Sequence, residues 1–272
     1  MTTIKGSHAI ITGGSDGIGL ASARHLLERG AATVSLIARR RDRLDHAARE
    51  LGSERVRTEA ADVTDRDVLD AAIERLVSAA GPCEVLITSA GYAHPGRFTE
   101  LDIDVFREQM EVNYFGTVHA IRAVIASMVE RRAGHIVVVS SDVGLFGVYG
   151  YSAYAPTKFA VRGLAETLRG ELKPYGIRVG IAYPPDTETP GFERENLIKP
   201  AETVAISASI KPRSADVVGR AIVDAIAKDK LTITADAQSA VLARAIGIVG
   251  PVVRASMDAT VRKVQRGAGG SR

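Results

Sequence analysis

An α/β fold, built on a doubly wound parallel sheet of about seven strands with helices on both faces, is predicted for this 272-residue chain by two observations. Short β-branched or apolar runs alternate with longer amphipathic stretches, which is the rhythm of repeated βαβ units. A glycine-rich turn then joins the first strand to the first helix, the Rossmann-like arrangement in which a helix N-terminus receives a phosphate. With 46% hydrophobic and 25% charged residues the chain has ample material for a core. At this length one large dinucleotide-binding and catalytic domain, residues 1–272, is the expectation.

The strands read, in order, HAIIT, TVSLIA, RVRTEAA, EVLITSA, HIVVVS, IRVGIAY and LTIT. Helices are expected near 17–30, 41–51, 65–80, 102–132, 151–174 and 214–228, with Asp65 and Ser214 as capping residues. The segment 183–212, YPPDTETPGFERENLIKPAETVAISASIKP, interrupts the rhythm with prolines and polar residues. A loop of that length in a compact domain is usually functional, and it reads as a lid over the site. A C-terminal extension begins at about residue 235. Its stretch AVLARAIGIVGPVV is apolar but contains Arg244, Gly247, Gly250 and Pro251. It reads as too short and too broken to span a bilayer, and as either a subunit-packing helix or a segment lying on an anionic membrane surface.

Charge excludes some partners. The net +3 is concentrated after Arg254, where Arg254, Arg262, Lys263, Arg266 and Arg272 face one acid, Asp258, so the body is near neutral. With no Trp and 5% aromatics, a basic stripe with stacking residues for nucleic acid is not evident. The single Cys83 forms no internal disulfide and no cysteine-based zinc cluster. The six histidines show no ligand spacing, so His94, His119 and His135 read as packing or strand-start residues and no metal is expected. The first strand begins at His8, which leaves no room for a signal peptide, and a cytoplasmic location is expected.

The chemistry lies in three places. In AIITGGSDGIG, Gly13, Gly17 and Gly19 let backbone approach a pyrophosphate, with Ser15 and Ile18 in the same turn. The second strand ends in LIARRRDRL. Ala38 stands where an NAD-binding chain offers an acid, and Arg39 and Arg40 suit a 2′-phosphate, so NADPH is the expected cofactor; Asp16 works against this by placing negative charge near the phosphate. Tyr154 and Lys158, four apart, share a helical face, and an ammonium near a phenol pulls its pKa down toward working pH. Ser141 precedes them at the end of a strand. Tyr149 and Tyr151 belong either at a substrate mouth or in a packed loop.

These motifs, in this order, resemble the classical short-chain dehydrogenase/reductase family: TGGSDGIG at 12–19, Asp62-Val63, Asn113 in VNYFG, Ser141, and YAPTK at 154–158. The resemblance implies an Asn113–Ser141–Tyr154–Lys158 tetrad and adenine contacts from Asp62 and Val63. It further implies cofactor contacts from Ala90, Gly91, Thr187 and Thr189, and a dimer or tetramer built on the helices at 102–132 and 151–174. Two positions depart from the family pattern. Thr88 and Ser89 replace two asparagines, and Pro184-Pro185 replaces Pro-Gly. The segment PPDTETPGF resembles the branch of the family that reduces 3-ketodihydrosphingosine, which implies a lipophilic amino ketone as substrate, with Asp186 and Glu188 placed to meet its ammonium. Other lipophilic carbonyls (steroid, retinoid or 3-ketoacyl compound) and a non-catalytic cofactor-binding scaffold remain alternatives.

Overall fold

The computed structural model describes residues 2–208 and 210–269; Ser209 of the expected lid and Arg272 of the basic tail lie outside them. Among the described residues, strands β1 (His8–Thr12), β2 (Thr33–Ala38), β3 (Val56–Ala60), β4 (Val85–Thr88), β5 (Gly134–Val139), β6 (Ile177–Ala182) and β9 (Thr232–Ile233) form one sheet. Its order is β3-β2-β1-β4-β5-β6-β9 and every pairing is parallel. Because successive side chains point to opposite faces, the register separates two cores. Ile10, Leu86, Ile136 and Val179 lie side by side across four strands and face one. Ile11, Ile87 and Val137 face the other. Both faces are covered, which is why these strands read as unbroken apolar runs instead of alternating ones.

Helices α1 (Gly17–Glu28), α2 (Arg41–Leu51) and α9 (Ala215–Ala227) cover one face through Leu20, Leu26, Leu44 and Ile222. Helices α3 (Arg66–Ala80), α5 (Gly116–Arg131) and α6 (Ala155–Leu172) cover the other through Leu69, Ala120, Val124 and Val161. The expected caps form: Asp65 accepts from the Val68 amide at 3.1 Å and Ser214 from the Val217 amide at 3.4 Å. Strand order reverses direction at β1, with β2 on one side and β4 on the other. The crevice at the carboxyl ends of β1 and β4 is therefore where a ligand binds in such a sheet.

Three elements differ from the sequence reading. The helix expected at 102–132 is divided into α4 (Ile103–Met110), a π-helical turn at Glu111–Phe115 that contains Asn113, and α5. The expected lid is largely ordered as β7 (Thr187–Glu188), α7 (Pro190–Asn196), α8 (Ala201–Ser207) and β8 (Arg213–Ser214). Its Thr-Pro pair is a helix start: Thr189 caps α7 by accepting from the Phe192 amide at 3.1 Å, with Pro190 at the first helical position. The lid is tied down where Glu202, only 4% exposed, pairs with Arg97 at 3.0 Å and accepts from the Tyr149 hydroxyl at 3.2 Å.

The C-terminal stretch is the largest correction. Residues Ala237–Gly269 form one continuous 33-residue helix, α10, with Pro251 inside it. Proline removes one i→i−4 bond and glycine costs about 1 kcal/mol in a helix interior. Here Gly247, with no side chain, occupies the position four residues before Pro251, and the helix on either side carries through the interruption because helix formation is cooperative. Ser239, Leu242, Ala243 and Ile246 dock against the body, whereas Ile248 and Val252 are 83% and 72% exposed. By length and composition the helix Ala237–Gly267 is apolar enough to cross a membrane, its most apolar 18-residue window having a mean hydropathy of 1.5.

Candidate active site

A cavity of about 790 Å³ opens at the carboxyl ends of β1 and β4, within the size range of cofactor and ligand sites. Its inner end is the glycine turn. Gly13 has φ +68°, and a Cβ there would stand 2.7 Å from the Ala90 backbone. Gly17 has φ +53°, and a Cβ would stand 2.9 Å from the Thr189 side chain. Any larger residue at either place closes the gap between the N-terminus of α1, the β4 loop and the lid. The groove is thus shaped for backbone to meet an elongated anionic group at the positive end of a helix dipole, the fit a dinucleotide pyrophosphate requires.

Most expected cofactor residues border this cavity: Ser15 and Ile18 in the turn, Arg39 and Arg40 after β2, Asp62 and Val63 after β3, Ala90 and Gly91 after β4, and Thr187 and Thr189 in the lid. Gly19 does not; it lies inside α1, where it packs against the backbone of the turn. Arg40 is bound to its neighbour Asp42, Nε to Oδ1 at 3.1 Å, and Arg39 reaches only to 3.9 Å from Asp62. Arg43, in the first turn of α2, also lines the cavity. The basic run ARRRDR was the available signal.

The reacting end gathers Ser141, Tyr154 and Lys158. Helix α6 begins at Ala155, so Tyr154 stands at its N-cap and Lys158 one turn inside. Lys158, 5% exposed, donates from Nζ to the Val139 carbonyl at 3.0 Å and lies 5.5 Å from the Tyr154 ring centre. Asn113 does not line the cavity but stands directly behind it. Its amide donates to the Tyr92 carbonyl at 3.1 Å and to Thr157 Oγ1 at 3.0 Å, while Oδ1 accepts from the Tyr92 amide at 3.0 Å. Oδ1 and Lys158 Nζ both flank Gly91: a Cβ there would lie 2.8 Å from the first and 3.5 Å from the second.

Electrostatics correct one expectation. The Tyr154 phenol is pushed above its ordinary pKa, first by burial and then by the Glu195 and Asp186 charges, with only the Ser141 hydroxyl opposing. Lys158, stripped of solvent, is itself pulled down to about 8. The lysine ammonium does not lower the phenol as the spacing implied, because desolvation disfavours both charged forms.

The substrate end is closed by the lid. Asp186 lines the cavity, with its carboxyl raised by burial. Glu188 does not line it; its strand pairs with β8 and its side chain is exposed. The acid that joins Asp186 at this end of the cavity is Glu195 on α7. It accepts a short hydrogen bond from the Tyr151 hydroxyl and pairs with Lys199 Nζ at 3.0 Å. The Tyr151 ring lies 5.8 Å from that of Tyr154, so of the two uncertain tyrosines Tyr151 belongs to the mouth and Tyr149 to the packed loop. Next to Ser141, Asp142 is half-buried, accepts from Ser239 of α10 at 2.8 Å, and is raised to about 7, chiefly by desolvation.

The model of the short chain dehydrogenase family matches residues 7–198, and the chain belongs to that family of oxidoreductases. It is 42% identical over 242 residues to the 3-ketodihydrosphingosine reductase of Dictyostelium discoideum, a match that covers 82% of this chain and 72% of that protein. It is 44% identical over 211 residues to the 3-dehydrosphinganine reductase of Danio rerio, covering 75% of this chain and 63% of that protein. Among solved structures, a short-chain dehydrogenase from Streptomyces avermitilis superposes with a TM-score of 0.78 at 28% identity, covering 97% of this chain and 99% of that one. Levodione reductase, at 23% identity and a TM-score of 0.79 over 87% of this chain and 98% of its own, shares the fold.

Proposed function

We propose that this enzyme reduces the C3 ketone of 3-ketodihydrosphingosine to the secondary alcohol of dihydrosphingosine, with NADPH as cofactor. The observation that carries the reading is the convergence of Ser141, Tyr154 and two lid carboxylates, Asp186 and Glu195, on one cavity in a chain 42% identical to a reductase of that name. When bound, the nicotinamide supplies the hydride to the carbonyl carbon. Gly13, Ser15, Gly17, Ile18, Thr187 and Thr189 hold the pyrophosphate and nicotinamide portions, Asp62 and Val63 the adenine, and Arg39 and Arg43 the 2′-phosphate.

Ser141 holds the carbonyl oxygen by a hydrogen bond. Tyr154 delivers a proton to that oxygen as negative charge develops there. Lys158 stabilises the phenolate left behind and orients the nicotinamide ribose. Asn113 clamps the β4 loop and keeps one lone pair of Oδ1 for a water that returns protons toward Lys158. The exposed far half of α10, with Arg254, Arg262, Lys263 and Arg266, rests on the anionic cytoplasmic face of a membrane, where a lipid substrate resides. Two or four copies associate through α5 and α6, where Phe159 on α6 and Phe115, in the turn just before α5, are about 40% exposed.

The test is NADPH oxidation, followed by absorbance, by the full chain with a panel of ketones. Turnover of 3-ketodihydrosphingosine well above that of steroids and ketoacyl thioesters, and with NADPH preferred over NADH, supports the reading. Robust turnover of the other ketones with none of the long-chain amino ketone overturns it.

A further inference from the structure

The lid wall beside Tyr154 contains a charge arrangement that the reaction itself does not use. Reduction needs a proton donor, a group on the carbonyl oxygen and a place for the cofactor. Ser141, Tyr154, Lys158 and the glycine groove supply these. Across from Tyr154, however, Glu195 and Lys199 form an ion pair at 3.0 Å whose side chains are only 14% and 3% exposed. Lys199 is stacked on the Phe192 ring at 4.3 Å, which fixes its ammonium within the lid. Glu195 also receives the Tyr151 hydroxyl, and the Tyr151 ring lies against Tyr154. The carboxylate is therefore held by two donors, the lysine four residues on and the tyrosine whose ring lies against the reacting phenol.

Asp186 borders the same space and feels both members of the pair, Lys199 as an attractive charge and Glu195 as a repulsive one. Two carboxylates thus share one buried ammonium. Arg194 also borders the cavity but is exposed, where water screens it. Lys158 lies behind Tyr154 and donates to the Val139 carbonyl. The wall facing the reacting centre thus sets two carboxyl groups against one ammonium, in a place where burial makes a second negative charge costly. A cation brought in by the substrate removes that cost.

We infer that Glu195, held by Tyr151 and balanced against Lys199, is the specificity-determining residue for an amino ketone: it and Asp186 together receive the ammonium on the carbon next to the reacting carbonyl. This deepens the proposed function and rests on it. A ketone lacking the amino group has nothing to neutralise the wall and pays its desolvation without return, which disfavours it relative to the amino ketone.

The experiment compares kcat/KM for 3-ketodihydrosphingosine and for an analogue of equal chain length in which hydrogen replaces the 2-amino group, in the wild type and two variants of the full chain. Glu195→Gln keeps size and the acceptor for Tyr151 but removes the charge; the preference for the amino ketone should fall about tenfold or more, chiefly in KM. Lys199→Met removes the counter-charge, and the preference should rise. Because each preference is a ratio within one protein, partial loss of folded enzyme cancels. An unchanged ratio in Glu195→Gln, or a fall in both variants, overturns the inference while leaving the proposed substrate standing. Failure of the wild type to reduce the amino ketone overturns the proposed function itself.

Discussion

Lys158 offers the sharpest test of how this site is built, because its function and its stability should pull in opposite directions. Burial lowers its ammonium from 10.5 to about 8, a difference worth about 3 kcal/mol against the folded state when the group is charged. Replacement by Met keeps the length of the chain and removes the charge. It also strands the Val139 carbonyl that Nζ now satisfies at 3.0 Å, a loss of about 1–3 kcal/mol. At pH 7 the Lys158→Met protein should therefore be between equally stable and roughly 2 kcal/mol more stable than the wild type, with turnover reduced by about 10² or more. Between pH 8 and 10.5 the unfolded wild-type chain binds more protons at this lysine than the native one does, so wild-type stability gains with rising pH while the variant has no such contribution. Urea unfolding of both proteins at pH 7 and 9.5 reads the difference directly. The variant's margin should shrink by roughly 2 kcal/mol over that range. A margin that does not move with pH refutes the premise that Lys158 is a desolvated cation.

Replacing Tyr154 by Phe should reduce kcat by about 10² or more, as expected for a lost proton donor, while NADPH binding followed by fluorescence titration stays near the wild-type value. Asp142, raised to about 7 by burial, holds its proton more tightly when folded than unfolded, so its contribution to stability declines as pH rises from about 4 to 7. Asp142→Asn keeps an acceptor for Ser239 and should stabilise the fold at pH 8 by roughly 2 kcal/mol, an advantage that disappears toward pH 4 in thermal or urea unfolding. Arg43→Ala should raise the KM for NADPH at least several-fold and that for NADH much less; equal effects on both cofactors would remove Arg43 from the 2′-phosphate site.

Much of the fold was legible because its signals are local. Strands buried on both faces leave continuous apolar runs such as AIIT and IVVV, Asp65 and Ser214 mark helix starts by hydrogen bonds made within three residues, and a helical turn alone puts Tyr154 and Lys158 on one face. The glycine turn was legible for the same reason, since its positive φ values at Gly13 and Gly17 belong to the backbone of those residues.

What the tertiary structure decided depends on distance through space. Nothing in the spacing of Glu188 and Glu195 says which faces the cavity. The pairing of β7 with β8 leaves the first outside, and the Thr189 cap starts a helix that carries the second inward to Tyr151 and Lys199. The direction in which the Tyr154 phenol is shifted could not be read from its distance to a lysine, because burial acts on both groups and the lid acids on the phenol. Helix α10 persists past Gly247 and Pro251 because helix formation is cooperative over the whole segment, which a residue-by-residue count of breakers does not register. The partly buried bond from Ser239 to Asp142 spans 97 positions of sequence, and only the folded chain could bring the C-terminal helix to the residue beside Ser141.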